Sequence, residues 1–134
     1  MSEQAAIMGE NLPLWARILP MLAVMATIFY LSHQPGDNLD VVDIVHIDKV
    51  VHFLLYAVLA VTTLYALSAK FRRRFPVKAA IAVIAICACY GLADEYHQSF
   101  IAGRFPSTMD LVADMAGALS VCFLWWRTWG RRGR

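Results

Sequence analysis

The chain has 134 residues, of which 60% are hydrophobic and 16% charged, with a mean hydropathy of +0.55 and a formal net charge of +2. A water-soluble domain of this length would cover its core with more charge, so the composition argues against a soluble helical bundle. The small net charge gives no reason to expect nucleic-acid binding. Cys87, Cys89 and Cys122 match neither a redox pair nor a zinc motif, and we expect them to be packing residues.

Four apolar stretches follow one another along the chain, over residues 15–31, 50–67, 77–93 and 111–126. Each approaches the ~20 residues that a helix needs to cross the hydrocarbon core of a bilayer. The predicted fold is therefore all-α. We expect a polytopic membrane protein with one four-helix transmembrane bundle, and we treat residues 1–134 as a single domain.

Positive charge lies in two segments that a four-span topology places on the same side of the membrane. One segment joins the second and third spans and the other follows the fourth; they contain Lys70, Arg72, Arg73, Arg74, Lys78, Arg127, Arg131, Arg132 and Arg134. Short basic segments of this kind stay in the cytoplasm. We therefore expect both termini to be cytoplasmic, with residues 32–47 and 95–109 facing outward.

Most acidic residues and all the histidines fall in or beside these two outward segments. They are Asp37, Asp40, Asp43, Asp48, Asp94, Glu95, Asp110 and Asp114, with His33, His46, His52 and His97. Acidic residues contribute little to membrane orientation, so their segregation indicates a function on that side. We expect Asp37, Asp40 and Asp43 to form only the wet face of a short interfacial helix, because they lack the pattern of a calcium-binding loop.

Helical spacing predicts a polar stripe on each of three spans. The stripes are Asp48, His52 and Tyr56 in the second span, Asp94, Glu95 and Gln98 at the end of the third, and Asp110 and Asp114 in the fourth. Residues four apart lie on one face of a helix, and Glu95 lies on the face adjoining that of Asp94. Acid, imidazole and amide groups should therefore meet at one membrane level.

Asp114 is the deepest member of these stripes. It lies twelve residues before Trp126, which corresponds to about 18 Å along a helix. Inserting a carboxylate at that depth costs about 2.5 kcal/mol or more, so it should face the bundle interior and find a partner. The expected partners are His52, Lys49 and Arg104.

Small residues share the faces of the stripes. Gly117 lies three residues beyond Asp114, and Gly91 lies three residues before Asp94. Small residues allow helix backbones to approach closely. We therefore expect the third and fourth spans to pack against each other at these glycines.

The motifs on successive spans form an ordered set. It comprises Asp48, Lys49, His52, Tyr56, Asp94, Glu95, Gln98, Arg104, Asp110 and Gly117, together with the segment Leu31-Ser32-His33-Gln34-Pro35. From about residue 31 to residue 124 this set resembles the VanZ-like family of bacterial membrane proteins, with one departure at Asp114, where the family commonly has asparagine. The family takes its name from a protein associated with teicoplanin resistance. The resemblance therefore implies a location in a bacterial inner membrane and a cell-envelope role linked to glycopeptide resistance.

One functional hypothesis is an outward-facing pocket that binds a lipid headgroup or a lipid-linked envelope intermediate. Lys49 and Arg104 would contact phosphate, since guanidinium and ammonium groups both suit phosphate oxygens. Tyr56 and Gln98 would complete the ligand-binding residues. The partners would then be membrane lipids. The sequence also leaves open a neighbouring membrane protein or a second copy of the chain as a partner.

The alternative is an intramembrane hydrolase or transferase acting on the same lipids, and the sequence leaves open whether the chain is an enzyme. His52 would be the general base, with Asp48 or Asp94 orienting its imidazole. The cofactor is undetermined, and a divalent cation would be held by Glu95, Asp110 and Asp114. A proton or ion path fits less well, because the inner halves of the spans are apolar.

Overall fold

The computed structural model describes residues 12–35 and 47–130. These residues form five α-helices and a final π-helical turn: α1 Leu14–Ser32, α2 Ile47–Ala66, α3 Ala69–Arg74, α4 Pro76–Gln98, α5 Thr108–Trp125 and the turn Trp126–Gly130. No strand occurs within the two described ranges. The expectations for Asp37, Asp40, Asp43, His46, Arg131, Arg132 and Arg134 concern residues outside those ranges.

Four helical segments are long and apolar enough to cross a membrane, namely Leu14–Ser32, Ile47–Ala66, Pro76–Gln98 and Thr108–Thr128. The predicted all-α, four-span fold is therefore confirmed. The helices are longer than the apolar stretches: α2 begins at residue 47 rather than 50, α4 ends at 98 rather than 93, and α5 begins at 108 rather than 111. Part or all of each polar stripe thus lies on helical backbone that continues beyond the apolar run.

The basic connection between α2 and α4 contains a short helix that the hydropathy pattern did not predict. The Ser68 hydroxyl accepts a hydrogen bond from the Phe71 backbone N–H at 3.2 Å and so caps the start of α3. Pro76 begins α4, where its missing N–H costs nothing. The Arg72 side chain donates to the Leu64 carbonyl at 2.6 Å and holds α3 against the end of α2.

The close approaches between helices occur at two glycines. A side chain at Gly117 would collide with the Phe53 carbonyl and lie 3.0 Å from the Ala57 backbone nitrogen, so α5 packs backbone to backbone against α2. A side chain at Gly91 would lie 3.0 Å from Leu111 Cδ1, so α4 packs against α5 there. The expectation for Gly91 is confirmed. The expectation for Gly117 is wrong in its partner, because this glycine faces the second span and not the third.

The buried apolar core lies between α2, α4 and α5, with a small contribution from α1. Its members are Ile28, Tyr56, Leu59, Ala60, Leu64, Val83, Cys87, Ala118 and Cys122. Two of the three cysteines are buried and Cys89 is exposed, with none of them in a disulfide. Many large apolar side chains lie on the outside of the bundle, as expected for helices that face lipid.

Successive spans run in alternate directions, so the end of α1, the start of α2, the end of α4 and the start of α5 lie together. Gln98 at the end of α4 reaches Ser32 at the end of α1, with 3.4 Å between Nε2 and Oγ. His52 near the start of α2 reaches Asp114 near the start of α5. We refer to this end of the bundle as the polar end.

Candidate functional site

The polar end contains a group of polar side chains from three spans, which we refer to as the polar cluster. Its members are Asp48, Lys49, His52, Tyr56, Asp94, Glu95, Gln98, Asp110 and Asp114. On α2 the four-residue spacing leads from the surface to the interior, since the side chain of Asp48 is 58% exposed and Tyr56 is fully buried. The predicted stripes therefore do meet at one level.

His52 is the centre of the cluster. Its Nδ1 lies 2.9 Å from Asp114 Oδ1, and its Nε2 lies 3.9 Å from Asp110 Oδ2. A carboxylate acceptor at Nδ1 requires that nitrogen to carry the proton, so Nδ1–H donates to Asp114 and Nε2 faces Asp110. The carboxylate hydrogen-bonded to the imidazole is thus Asp114, whereas the sequence suggested Asp48 or Asp94 for the orienting role. His52 is also the partner that the buried Asp114 was expected to find.

Lys49 lies at the mouth of the cluster. Its ammonium group forms ion pairs with Asp110 and with Asp48, the latter at 2.6 Å. The side chain of Lys49 is about a quarter exposed, at 26%. Lys49 therefore links the surface to the buried carboxylates and reaches Asp110, one turn short of Asp114.

Glu95 extends the cluster to α4. Its Oε2 accepts a hydrogen bond from the Ser107 backbone N–H at 2.7 Å, and its buried Oε1 has no hydrogen-bond partner among the described residues. One ligand atom from each of His52, Glu95 and Asp110 lies within 4.8 Å of the other two. This trio could hold a metal ion. It differs from the predicted set in one member, because His52 stands where the sequence suggested Asp114.

Asp94 lies on the α1 side of the cluster. Its Oδ2 accepts a hydrogen bond from Gln98 Nε2 at 3.1 Å, and the same amide reaches Ser32. Asp94 and Gln98 are both buried. This pair connects the cluster to α1.

Arg104 makes different contacts from those expected. Its Nε donates to the Gln34 carbonyl at 3.2 Å and its Nη2 donates to the Leu31 carbonyl at 2.9 Å. Carbonyls at a helix C-terminus lack intrahelical partners and favour a cation. Gly103, with a φ of 73°, supplies the turn that aims the guanidinium there. In this structure Arg104 ties the loop 99–107 to the end of α1 and does not pair with Asp114.

Sequence reasoning missed a histidine pair beside the cluster. His33 Nδ1 lies 3.2 Å from His97 Nε2, and the Phe29 ring centroid lies 4.7 Å from that of His97. His33 belongs to the segment quoted for the family resemblance, which was the available signal. Nothing in helical spacing relates residues on α1 and α4, so the pair could not be found by periodicity.

Negative charge exceeds positive charge in the cluster. Five carboxylates, those of Asp48, Asp94, Glu95, Asp110 and Asp114, stand against Lys49 and the imidazole of His52. Within the described part of the chain, Tyr56 Oη, Glu95 Oε1 and Asp114 Oδ2 are buried without a hydrogen-bond partner. Buried polar atoms are usually satisfied, and exceptions indicate a functional site or a missing partner. The cluster is therefore suited to a ligand that brings hydrogen-bond donors or positive charge.

Comparison with known proteins identifies the family of this chain. The family model described as VanZ/LLP1 matches residues 17–129. This range contains every member of the polar cluster and all four candidate spans, except for the first three residues of the first span. No curated protein and no solved structure matched the chain. The four helices and the family together identify a multi-pass membrane protein, and this chain belongs to the VanZ/LLP1 family.

Proposed function

We propose that the polar cluster is an outward-facing site that binds the headgroup of a membrane lipid or of a lipid-linked cell-envelope intermediate. The observation that carries the proposal is the combination of a partly exposed lysine with buried polar atoms behind it that lack partners. Lys49 would contact the phosphate at the mouth. The carboxylates and Tyr56 behind it would bond hydroxyl or amine groups of the headgroup.

The outward direction of the polar end is part of the proposal. The opposite end of the bundle carries Lys70, Arg72, Arg73, Arg74 and Lys78 on and beside α3. Short basic segments stay on the cytoplasmic side, which supports an outward polar end in a bacterial inner membrane. At that level a lipid headgroup reaches the cluster from the membrane surface.

Family membership supports a role at the envelope. The VanZ-like family takes its name from a protein associated with teicoplanin resistance, and a glycopeptide acts on envelope precursors outside the cell. A protein that holds such a precursor would change its accessibility without a chemical reaction. We therefore extend the proposal to a role in glycopeptide resistance.

A second candidate function is a hydrolase or transferase acting on the same class of lipid. It is favoured by the hydrogen bond from His52 to the buried Asp114, at 2.9 Å. An imidazole held by a carboxylate on one nitrogen presents the other nitrogen as a general base. His52 would then remove a proton from a water or hydroxyl at Nε2, beside Asp110.

Native mass spectrometry of the protein extracted with its own lipids tests the binding proposal. We expect a discrete lipid on the wild-type chain and about a tenfold weaker association in Lys49→Gln, because a hydrogen bond from a charged donor contributes about 1.5–3 kcal/mol. Lys78→Gln is the matched control, since Lys78 is an exposed lysine at the start of α4, at the opposite end of the bundle. Arg104→Ala is less informative, because it also releases α1 from the loop.

The outcomes separate the two candidates. Equal lipid retention by the Lys49→Gln and Lys78→Gln proteins would contradict a headgroup site at Lys49. Conversion of an envelope lipid by the wild-type protein but not by His52→Gln would favour the enzyme. The absence of both lipid retention and lipid conversion would contradict both candidates.

A further inference from the structure

We propose that the polar cluster holds a divalent first-row transition-metal cation, coordinated by His52, Glu95 and Asp110. This inference rests on the proposed function, since it names the cofactor through which the same site would bind a phosphate-bearing headgroup. Each of the three ligands comes from a different span, namely α2, α4 and α5. The cation would therefore join these helices at the polar end.

The separations of the ligand atoms suit one ion. One atom from each residue lies within 4.8 Å of the other two. Zinc binds nitrogen and oxygen at about 2.0–2.2 Å in tetrahedral geometry, so two ligand atoms of one ion lie about 3.3–3.6 Å apart. The ligand atoms would therefore have to approach one another by up to about 1.5 Å, which side-chain rotations can supply.

The hydrogen bonding of His52 is that of a metal-bound imidazole. Asp114 accepts from Nδ1 at 2.9 Å, while Nε2 faces Asp110 Oδ2 at 3.9 Å. Histidine ligands commonly donate their other N–H to a carboxylate, which fixes the tautomer and orients the ring. Asp114 would thus be a positioning residue that acts through His52. This explains a fully buried carboxylate deep in a span.

Glu95 provides independent support. Glu95 is only 9% exposed, and its buried Oε1 has no hydrogen-bond partner in the described part of the chain. The other oxygen, Oε2, is fixed by the Ser107 backbone N–H at 2.7 Å. A buried carboxylate anchored on one oxygen and unpartnered on the other has an oxygen free to bind a cation.

The chemistry of the trio indicates the class of cation. Imidazole favours zinc, iron and their neighbours, whereas magnesium and calcium prefer oxygen ligands alone. Three protein ligands leave at least one position for an outside ligand. A phosphate oxygen could take that position, with Lys49 beside it through its ion pair with Asp110. A divalent cation would also offset part of the excess negative charge.

The test uses the whole chain in detergent, stripped with a chelator and titrated with Zn²⁺. Calorimetry should show one ion per chain, and bound metal should raise the unfolding temperature of the wild-type protein. We expect Glu95→Gln and His52→Gln to weaken binding by about 100-fold or more, and Asp114→Asn by about 10–100-fold through the orientation of His52. His97→Gln is the matched control, since His97 lies 3.2 Å from His33 and that pair could bind metal adventitiously.

Three results would overturn the inference: no uptake by the stripped wild-type protein, unchanged binding by Glu95→Gln, or loss of binding in His97→Gln. The wild-type titration decides the matter even where a variant fails to fold. Native mass spectrometry of the stripped protein separates this inference from the proposed function. If the metal-free protein retains as much lipid as the metal-bound protein, the proposed role of the cation in headgroup binding is wrong, while headgroup binding itself is not contradicted. Metal bound at the trio without any lipid would contradict headgroup binding alone.

Discussion

The imidazole of His52 lies between two carboxylates of α5, and its removal should destabilise the fold. In His52→Ala the fully buried Asp114 loses the only hydrogen bond described for its side chain. Removing one partner of a buried pair typically costs about 3–5 kcal/mol. We therefore expect the free energy of unfolding to fall by about 3 kcal/mol, measured by SDS-induced unfolding in mixed micelles.

Asp114→Asn is the matched comparison for that measurement. An amide oxygen still accepts from His52 Nδ1 and no charge remains buried at position 114, so we expect a change below about 1 kcal/mol. The double variant His52→Ala, Asp114→Asn should lose less stability than the sum of the two single variants. Neutralising Asp114 removes the buried charge that His52→Ala alone would leave without a partner. Strictly additive losses would contradict an energetic coupling between the two side chains.

The sequence predicted only part of this residue-level arrangement. The depth of Asp114 predicted a partner, and helical spacing placed Asp48, His52 and Tyr56 on one face. Which of His52, Lys49 and Arg104 contacts Asp114 depends on how far each helix is rotated about its axis, and hydropathy does not determine that rotation. The contacts of Arg104 could not be predicted either. Backbone carbonyls at the end of α1 accept its hydrogen bonds, and backbone acceptors have no signature in the sequence.

At the scale of elements, Gly117 and Gly91 provide a matched pair of substitutions. A Cβ at Gly117 would meet backbone atoms of Phe53 and Ala57, which cannot move without separating α2 from α5. A Cβ at Gly91 would meet side-chain atoms of Leu111 and Asp114, at 3.0 and 3.1 Å, which have more freedom to adjust.

We expect Gly117→Ala to lower the free energy of unfolding by about 2–3 kcal/mol, at the upper end of the cost of overpacking, and Gly91→Ala to cost about 1 kcal/mol. Thermal unfolding in detergent would rank the two. A larger loss for Gly91→Ala would show that α4, and not α2, is the tighter neighbour of α5.

The bounds of the elements were predicted less well than their number. Each long apolar run is a strong signal because a span needs about 20 apolar residues. Hydropathy falls where charged residues begin, although the backbone of α2 continues outward to Ile47 and that of α4 to Gln98. The helix α3 was missed because six residues are too few for a periodic pattern, although Ser68 is a recognisable cap.

At the scale of the whole molecule, the proposed orientation can be measured directly. In a background with the native cysteines replaced by alanine, Phe105→Cys and Lys70→Cys place single thiols at exposed positions at opposite ends of the bundle. An impermeant maleimide should label Phe105→Cys in intact spheroplasts and Lys70→Cys only after permeabilisation, because the basic end stays inside. The reverse pattern would place the polar cluster in the cytoplasm and remove the basis for an envelope ligand.

The two contacts that centre the cluster join distant parts of the chain. Lys49 and Asp110 are separated by 61 residues, and His52 and Asp114 by 62. During synthesis α2 therefore emerges from the ribosome long before α5 exists. Until then its lysine and histidine can remain at the headgroup level, where water satisfies them. The cluster cannot assemble before α5 has been synthesised, so a nascent chain stalled before Thr108 would lack Asp110 and Asp114 and would have no complete site.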